Sequence, residues 1–288
     1  MKSSRKLALI YLVLFLYLSY VIAPYCWLCI QSFIPYEHLS TSPPHFMPET
    51  SINYLRLFGF VRPAGAYAGN IPAGVQYVSR SFINSLVVSG LSTIIAIILA
   101  SFAAYTFARI KFPGSNKILT LTIALRMLPV TSVIIPIYLM MNFLHLIDSL
   151  IALIIMYTAM LLPYDILMLT TFFQSIPSDL DDSARVDGCN RLQALLKVTM
   201  PLASPGLVAV GIFNFLVCWN EFFIALILTR SEASYTVPVV ISMFTNVPQM
   251  MPYDYMITAG VISSIPPLIL SLIFSKYLMK GLIAGAIK

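Results

Sequence analysis

Three charges stand inside long apolar runs: Arg126, Asp165 and Glu221. An ionised side chain in hydrocarbon is costly, so each must face protein or water, and each is a candidate for function. At about 1.5 Å of rise per residue, Arg126 lies in the inner half of one run and Asp165 in the inner half of the next, a depth at which they can pair. Glu221 stands in "CWNEFF" beside Trp219 and Asn220. That trio offers an aromatic face and hydrogen-bonding groups of the kind a sugar needs, but the favoured reading is a motif that packs helices together, so no sugar preference is assigned to it. Other chemistry has little support. None of His38, His45 and His145 lies inside an apolar run, no H-E-x-x-H pattern occurs, and no two carboxylates are arranged for acid and base work, so no catalytic, cofactor or metal site is expected. Cys26, Cys29, Cys189 and Cys218 show no metal spacing with histidine and read as small apolar residues.

The elements that carry these residues are set by composition. Hydrophobic residues make up 59% of the 288 and charged residues 10%, with a mean hydropathy of +0.88. A soluble domain carries about 25% charged residues. Six apolar runs are each long enough to cross a bilayer as a helix: roughly 7–33, 82–108, 118–144, 149–173, 202–229 and 255–275. The first follows "MKSSRK" but is too long for a signal peptide and lacks a small-residue cleavage pattern, so it is kept as a membrane helix. A cytoplasmic N-terminus puts Lys2, Arg5, Lys6, Arg109, Lys111, Lys117, Arg185, Arg191, Lys197, Lys276, Lys280 and Lys288 inside. Only Arg56, Arg62, Arg80 and Arg230 fall outside. The positive-inside rule therefore predicts both termini in the cytoplasm.

The expected organisation is a first transmembrane helix over 1–33, an external loop over 34–80, a helical core over 81–280 that contains a polar cytoplasmic loop at 176–201, and a tail at 281–288. Prolines at 35, 43, 44, 48, 63 and 72 mark the external loop as turns, with a short helical piece at "INYLRLF". A second outer loop runs from about Arg230 to Asp254. Ala96, Ala100, Ala104 and Ala108 recur every four residues, a small-residue stripe that lets a neighbouring helix approach. Pro129, Pro136, Pro163, Pro266 and Pro267 interrupt spans three, four and six, where freed carbonyls need new partners.

The polar loop is the most informative stretch. Ser178 is expected to cap a short helix whose first turn carries Asp179, Asp181 and Asp182. Gly188 is expected to stop that helix in a left-handed turn. A second helix, "NRLQALLKVT", would carry Leu192, Leu195 and Leu196 on one face, with Pro201 closing the unit. Ala184 and Gly188, four apart, would leave a low-relief patch rimmed by Arg185, Asp187, Arg191 and Lys197. Such a patch suits a docking protein; an amphipathic loop lying on lipid headgroups fits the same spacing.

This loop resembles the cytoplasmic signature of binding-protein-dependent ABC importer permeases: E-A-A, three residues, G, nine residues, I-x-L-P. Here Asp182-Ser183-Ala184, Gly188 and Val198-Thr199-Met200-Pro201 stand at that spacing, with Asp for Glu, Ser for Ala, Val for Ile and Met for Leu. "LRMLPVTSVIIPIY", "LPYDILMLTTFFQSIPSDLDDSARVDG", "FNFLVCWNEFFIALIL" and "KGLIAGAIK" extend the resemblance over nearly the whole chain, towards the second permease subunit of maltose/trehalose-type sugar importers.

The resemblance implies an all-α membrane protein of six transmembrane helices with the type I importer permease fold. Asp182, Ser183, Ala184, Asp187, Gly188 and Pro201 would then belong to a coupling helix that docks on an ATPase subunit. It further implies a homologous partner permease, two copies of an ABC ATPase and an extracytoplasmic solute-binding protein, all serving sugar import across the inner membrane of a prokaryote. The outer loop Arg230 to Asp254 would probe the binding protein, and "KGLIAGAIK" would touch the ATPase pair. The chain has no G-x-x-x-x-G-K-[ST] loop, so ATP and Mg would be bound by the partner and no enzyme activity is expected here. Glycerol phosphate or a glycerophosphodiester is the alternative solute. A secondary carrier is the alternative of another class, but it calls for an ionisable relay and an inverted repeat that the sequence lacks.

Overall fold

The computed structural model describes residues 2–286 apart from 40, 42, 62–73, 111, 128 and 245–251. Among these the chain is helical, with no strand. The principal helices are α1 (Lys2–Gln31), α2 (Val78–Arg109), α3 (Ser115–Leu125), α4 (Val130–Phe143), α5 (Leu150–Gln174), α6 (Ser178–Val186), α7 (Arg191–Leu202), α8 (Ser204–Trp219), α9 (Phe223–Leu228), α10 (Val237–Met243) and α11 (Tyr253–Ala286). Two compact units result: Met1–Ser79 with Val240–Ile265, and Arg80–Val239 with Pro266–Lys288.

Four helices are long and apolar enough to cross a membrane alone, within Leu9–Gln31, Val75–Arg109, Leu150–Gln174 and Tyr253–Phe274. The third and fifth expected spans are not single helices. The third is split into α3 and α4, bent by 92°, and the fifth into α8 and α9, with a break at 220–222; α7, the second helix of the expected polar loop, meets α8 at 80°, and counting each bent pair as one crossing gives up to six. The reasons lie in the sequence. Pro129 has no N–H, so it stands in extended geometry (φ −65°, ψ 133°) ahead of α4. Pro205 likewise sits in the first turn of α8, after Ala203 has left helical geometry at ψ 2°. Pro136, Pro163, Pro266 and Pro267 remain inside continuous helices.

In the first unit, α1 is apolar on all sides, and its membrane-length stretch buries nothing inside the chain, which is the surface expected of a helix bathed in lipid. Its C-terminal end is fastened by polar groups. Asn53 Nδ2 donates to the carbonyls of Ser32 (3.0 Å) and Ile34 (2.8 Å), and Ser32 Oγ and Tyr54 Oη share a hydrogen bond of 2.6 Å. The short helix expected at "INYLRLF" is present as Ile52–Leu57. The prolines at 63 and 72, the centre of the second outer loop at 245–251 and the side chains from 275 onward, including those of "KGLIAGAIK", lie outside the described residues.

In the second unit the alanine stripe forms packing surface as expected. Ala96, Ala100 and Ala104 are fully buried, and the last two share a core with Tyr105, Leu169, Phe173, Leu195, Ala203 and Val210. The approach of α8 to α5 is closer still. A Cβ on Gly206 would stand 2.5 Å from Cγ of Phe172, so only glycine fits without a shift.

Candidate functional site: the polar segment Ser178–Leu202

The polar segment folds as two short helices at a sharp corner. Pro177, not Ser178, is the residue that precedes α6; it is extended at ψ 132° and no side chain caps the helix. The difference is one position, because proline already ends α5 and Ser178 is free to begin the next helix. Asp179 and Asp181 lie in the first turn. Gly188 takes φ 91°, the left-handed conformation expected of it. Its N–H donates to Arg185 O (3.1 Å) and that of Cys189 to Ala184 O (3.0 Å). These two bonds make a Schellman closure, which satisfies the last carbonyls of α6.

Asn190 then starts α7 with a capping box: its side chain accepts from Gln193 N at 2.9 Å and its N–H donates to Gln193 Oε1 at 2.9 Å. A π turn over Leu195–Thr199 follows. Pro201 does not close the unit, because the helix continues to Leu202. The wider turn falls where Pro201 has no N–H to return to residue 197, so the coil passes through the proline instead of stopping.

What the segment exposes differs from the expectation. Ala184 is buried, so it seats α6 on the protein and is not part of an outward patch. Leu195 is buried with Ala194 and Thr199, whereas Leu192 and Leu196 are exposed. The three leucines therefore occupy two faces. Asp182, Ser183, Arg185, Asp187 and Gly188 do face outward, as does Pro201 on α7. Arg185 and Asp182 form an exposed pair at 3.5 Å. The outward residue that composition alone concealed is Val186, which is 87% exposed at the corner.

The segment is anchored by a charge cluster that the sequence reading missed. Arg109, the last residue of α2, forms an ion pair with Asp181 through its Nε, and its Nη2 donates to Ile176 O at 2.9 Å. Thr199 Oγ1 donates to the other Asp181 oxygen at 2.7 Å. The pair is nearly buried, with side chains 11% and 7% exposed. One carboxylate thus ties α2, α6 and α7 together. Its signal in the sequence was a cation at the end of one helix and an acid at the start of another, 72 residues apart, a separation at which pairing cannot be read.

The intramembrane charges are also resolved. Arg126 and Asp165 do not form a salt bridge: the Arg126 guanidinium lies over the Tyr164 ring, 5.0 Å from its centroid, and Asp165 accepts from Asn214 Nδ2 at 2.7 Å. Asp165 is fully buried while Arg126 is exposed. Similar depth did not bring them together because Tyr164, the neighbour of Asp165, faces the arginine. Asn214, absent from the sequence reading, sits on α8 where it can donate to one of the two Asp165 oxygens.

Trp219 is packed, not presented. It is 3% exposed, edge-on to Phe82 at 5.4 Å and stacked on Phe215 at 5.7 Å. Asn220 and Glu221 mark a break between α8 and α9. Asn220 Nδ2 returns to Leu216 O at 2.8 Å, while Glu221 accepts from Ile224 N (2.8 Å), Ala225 N (3.2 Å) and Tyr157 Oη (2.8 Å). One residue satisfies a carbonyl at the end of the first helix and the other satisfies N–H groups at the start of the second. Backbone groups freed within an apolar span require such partners.

An all-helical membrane chain with two broken spans and an exposed, well-capped helix corner has the architecture of an ABC importer permease. The fold superposes with a TM-score of 0.77, at 20% identity over 96% of this chain and 98% of the other, on a chain from the crystal structure of a bacterial ABC transporter involved in the import of the acidic polysaccharide alginate. The chain belongs to the family of binding-protein-dependent transport system inner membrane components, whose model matches residues 92–283. It is 34% identical to the sulfoquinovosyl glycerol transport system permease protein SmoH of Agrobacterium fabrum, over 92% of this chain and 88% of that protein. It is 37% identical to the trehalose transport system permease protein SugB of Mycobacterium tuberculosis, over 73% of this chain and 77% of that protein. These relatives are transport components, not enzymes. The family, the sugar-transporter likeness and the membrane-spanning helices agree with the expectation drawn from Asp182–Pro201.

Proposed function

We propose that this chain is the membrane permease of an ATP-driven importer for a sugar of di- or oligosaccharide size, and that the corner formed by α6 and α7 docks on a separate ATPase subunit. A homologous permease completes the pathway, two ATPase copies bind ATP and Mg, and an extracytoplasmic solute-binding protein delivers the sugar. Six crossings follow if each bent pair spans the membrane, and the distribution of lysine and arginine favours both termini in the cytoplasm.

The observation that carries the docking role is the combination of exposure and anchoring. Val186 projects at the corner between polar Asp182, Arg185 and Asp187, while Asp181 on the opposite side is locked to Arg109 and Thr199. A segment that only rested on lipid would not need a buried ion pair to fix its position. A partner that pulls on α6 would move α2 through Arg109, and would move α7 through Thr199. This is how ATPase closure would reach the membrane helices. The sugar assignment is supported by the relatives, two of which carry sulfoquinovosyl glycerol and trehalose in their names.

The test is purification of the tagged chain in mild detergent with mass spectrometry of what accompanies it, followed by ligand screening on any solute-binding protein recovered. Recovery of an ATP-binding subunit, a second permease and a sugar-specific binding protein is expected. A chain recovered alone and stable contradicts the docking role, and a binding protein specific for glycerol phosphate contradicts the sugar.

A further inference from the structure

Two of the chain's three histidines stand in the segment after α1, and both turn the same ring nitrogen onto one carboxylate. His38 Nδ1 lies 2.7 Å from Glu49 Oε2, and His45 Nδ1 lies 2.5 Å from Glu49 Oε1. The rings are stacked, with centroids 5.2 Å apart and planes 11° from parallel. The three donor atoms lie within 4.8 Å of one another, and among the described residues no other three His, Cys, Asp or Glu side chains converge in this way.

The backbone that presents them is held to the C-terminal end of α1. Gln31 Nε2 donates to His45 O at 3.3 Å. The N–H groups of Glu49 (3.3 Å) and Thr50 (2.9 Å) both donate to Phe33 O, and the Trp27 and Phe46 rings pack at 5.5 Å. The side chains themselves are accessible, at 49% for His38, 40% for His45 and 26% for Glu49, so an ion from solvent can reach them.

We propose that His38, His45 and Glu49 form a three-ligand site for a divalent transition-metal ion, with zinc as the representative ion and water in the remaining position. Two neutral imidazoles and a carboxylate are a donor set that zinc accepts. Bonds of about 2.0–2.2 Å in tetrahedral geometry put neighbouring ligand atoms roughly 3.3 Å apart. The metal would therefore replace the protons that now join the rings to Glu49, and the exposed side chains would open those two contacts by about 0.6–0.8 Å while drawing in the widest pair of ligand atoms, now within 4.8 Å. Each histidine would hold its proton on Nε2 and offer the Nδ1 lone pair. A bound ion would staple His38 to Glu49 and brace the external segment against α1.

The experiment is equilibrium dialysis of the full chain in detergent against zinc, with metal analysis, using a tag without histidine and Cys26, Cys29 and Cys189 replaced by serine to remove competing thiols. One zinc per chain is expected. The His38→Ala/His45→Ala double variant should lose it, and Glu49→Gln should weaken it by at least the ~10–100-fold that loss of even an outer partner of a metal ligand costs. Zinc should raise the melting temperature of the parent and not of Glu49→Gln, which retains a hydrogen-bonding side chain and so serves if the double variant is poorly folded. Equal zinc affinity in parent and Glu49→Gln, or no zinc bound by the parent, overturns the proposal.

Discussion

Asp181 and Asp148 stand beyond opposite ends of α5, and each fastens a corner of the second unit with different partners. Asp181 is paired with a charge from a distant helix, Arg109, and with the Thr199 hydroxyl. Asp148 forms no ion pair among the described residues and accepts from main-chain N–H groups instead, those of Arg230 (2.8 Å) and Ser231 (2.9 Å), together with the Ser234 hydroxyl. Its own N–H donates to Leu228 O at 2.8 Å from a positive φ of 63°. Burial alone would raise the Asp148 carboxyl, but the hydrogen bonds from Ser231, Ser234 and the Arg230 backbone outweigh it and hold the group below its usual range. The contrast is between a joint that links three helices and a local cap that shapes one turn. In the proposed coupling, a force on α6 would be transmitted through the first, whereas the second keeps the α4–α5 connection fixed against the loop that follows α9.

The largest expected effect comes from breaking the joint. Arg109→Ala strands a nearly buried carboxylate and should cost about 3–5 kcal/mol, read as a lower melting temperature in detergent together with loss of import. Arg109→Ala/Asp181→Ala should be less harmful than the two single losses added together, because the pair acts as a unit. Additive losses would remove the pair from the account.

Next is the corner itself. Gly188→Val forces a β-branched residue into a left-handed conformation, which costs an L residue roughly 1–2 kcal/mol. Since no atom lies near a Cβ at that position, the damage should be conformational, with import lost and membrane insertion intact. Normal import by this variant would sink the coupling role of the corner. Asn190→Ala removes the capping box from α7 and should cost about 1 kcal/mol, measurable as faster hydrogen exchange over 191–195 with the Arg109–Asp181 joint unaffected.

The smallest and most local effect belongs to Asp148. Because its carboxyl is depressed in the folded chain, the stabilisation it supplies is fully present above the ordinary aspartate range and is lost as pH falls through the lower folded value. Protection of the Arg230 and Ser231 amides, taken relative to their intrinsic exchange rates, should therefore fall on acidification. Asp148→Asn, which tolerates positive φ as well as Asp does, should abolish that pH step while leaving the corner at Gly188 unchanged. An unchanged pH step in Asp148→Asn would assign it to another group.

Several of these features were legible in the sequence, and the reason is that they are local. Gly188 announced a left-handed turn because it followed a short polar helix, and the alanines of α2 announced close packing by their spacing. The apolar runs announced membrane helices but not their breaks. Ala203 and Asn220 look like ordinary members of a helix until Pro205 and the two-sided capping by Asn220 and Glu221 are seen in space. Long-range partners were illegible: Asn214 for Asp165, Tyr164 for Arg126 and Arg109 for Asp181 each require the tertiary arrangement. The outward face of α6–α7 was misread at Ala184 and at Leu195 because a single polar helix gives no indication of which side its own chain will cover.

The most direct measurement is site-specific photo-crosslinking from position 186 in intact membranes. A crosslink to an ATP-binding subunit that is lost in Gly188→Val is expected. Crosslinking to lipid alone, or to no protein at all, would contradict the docking of this corner on an ATPase.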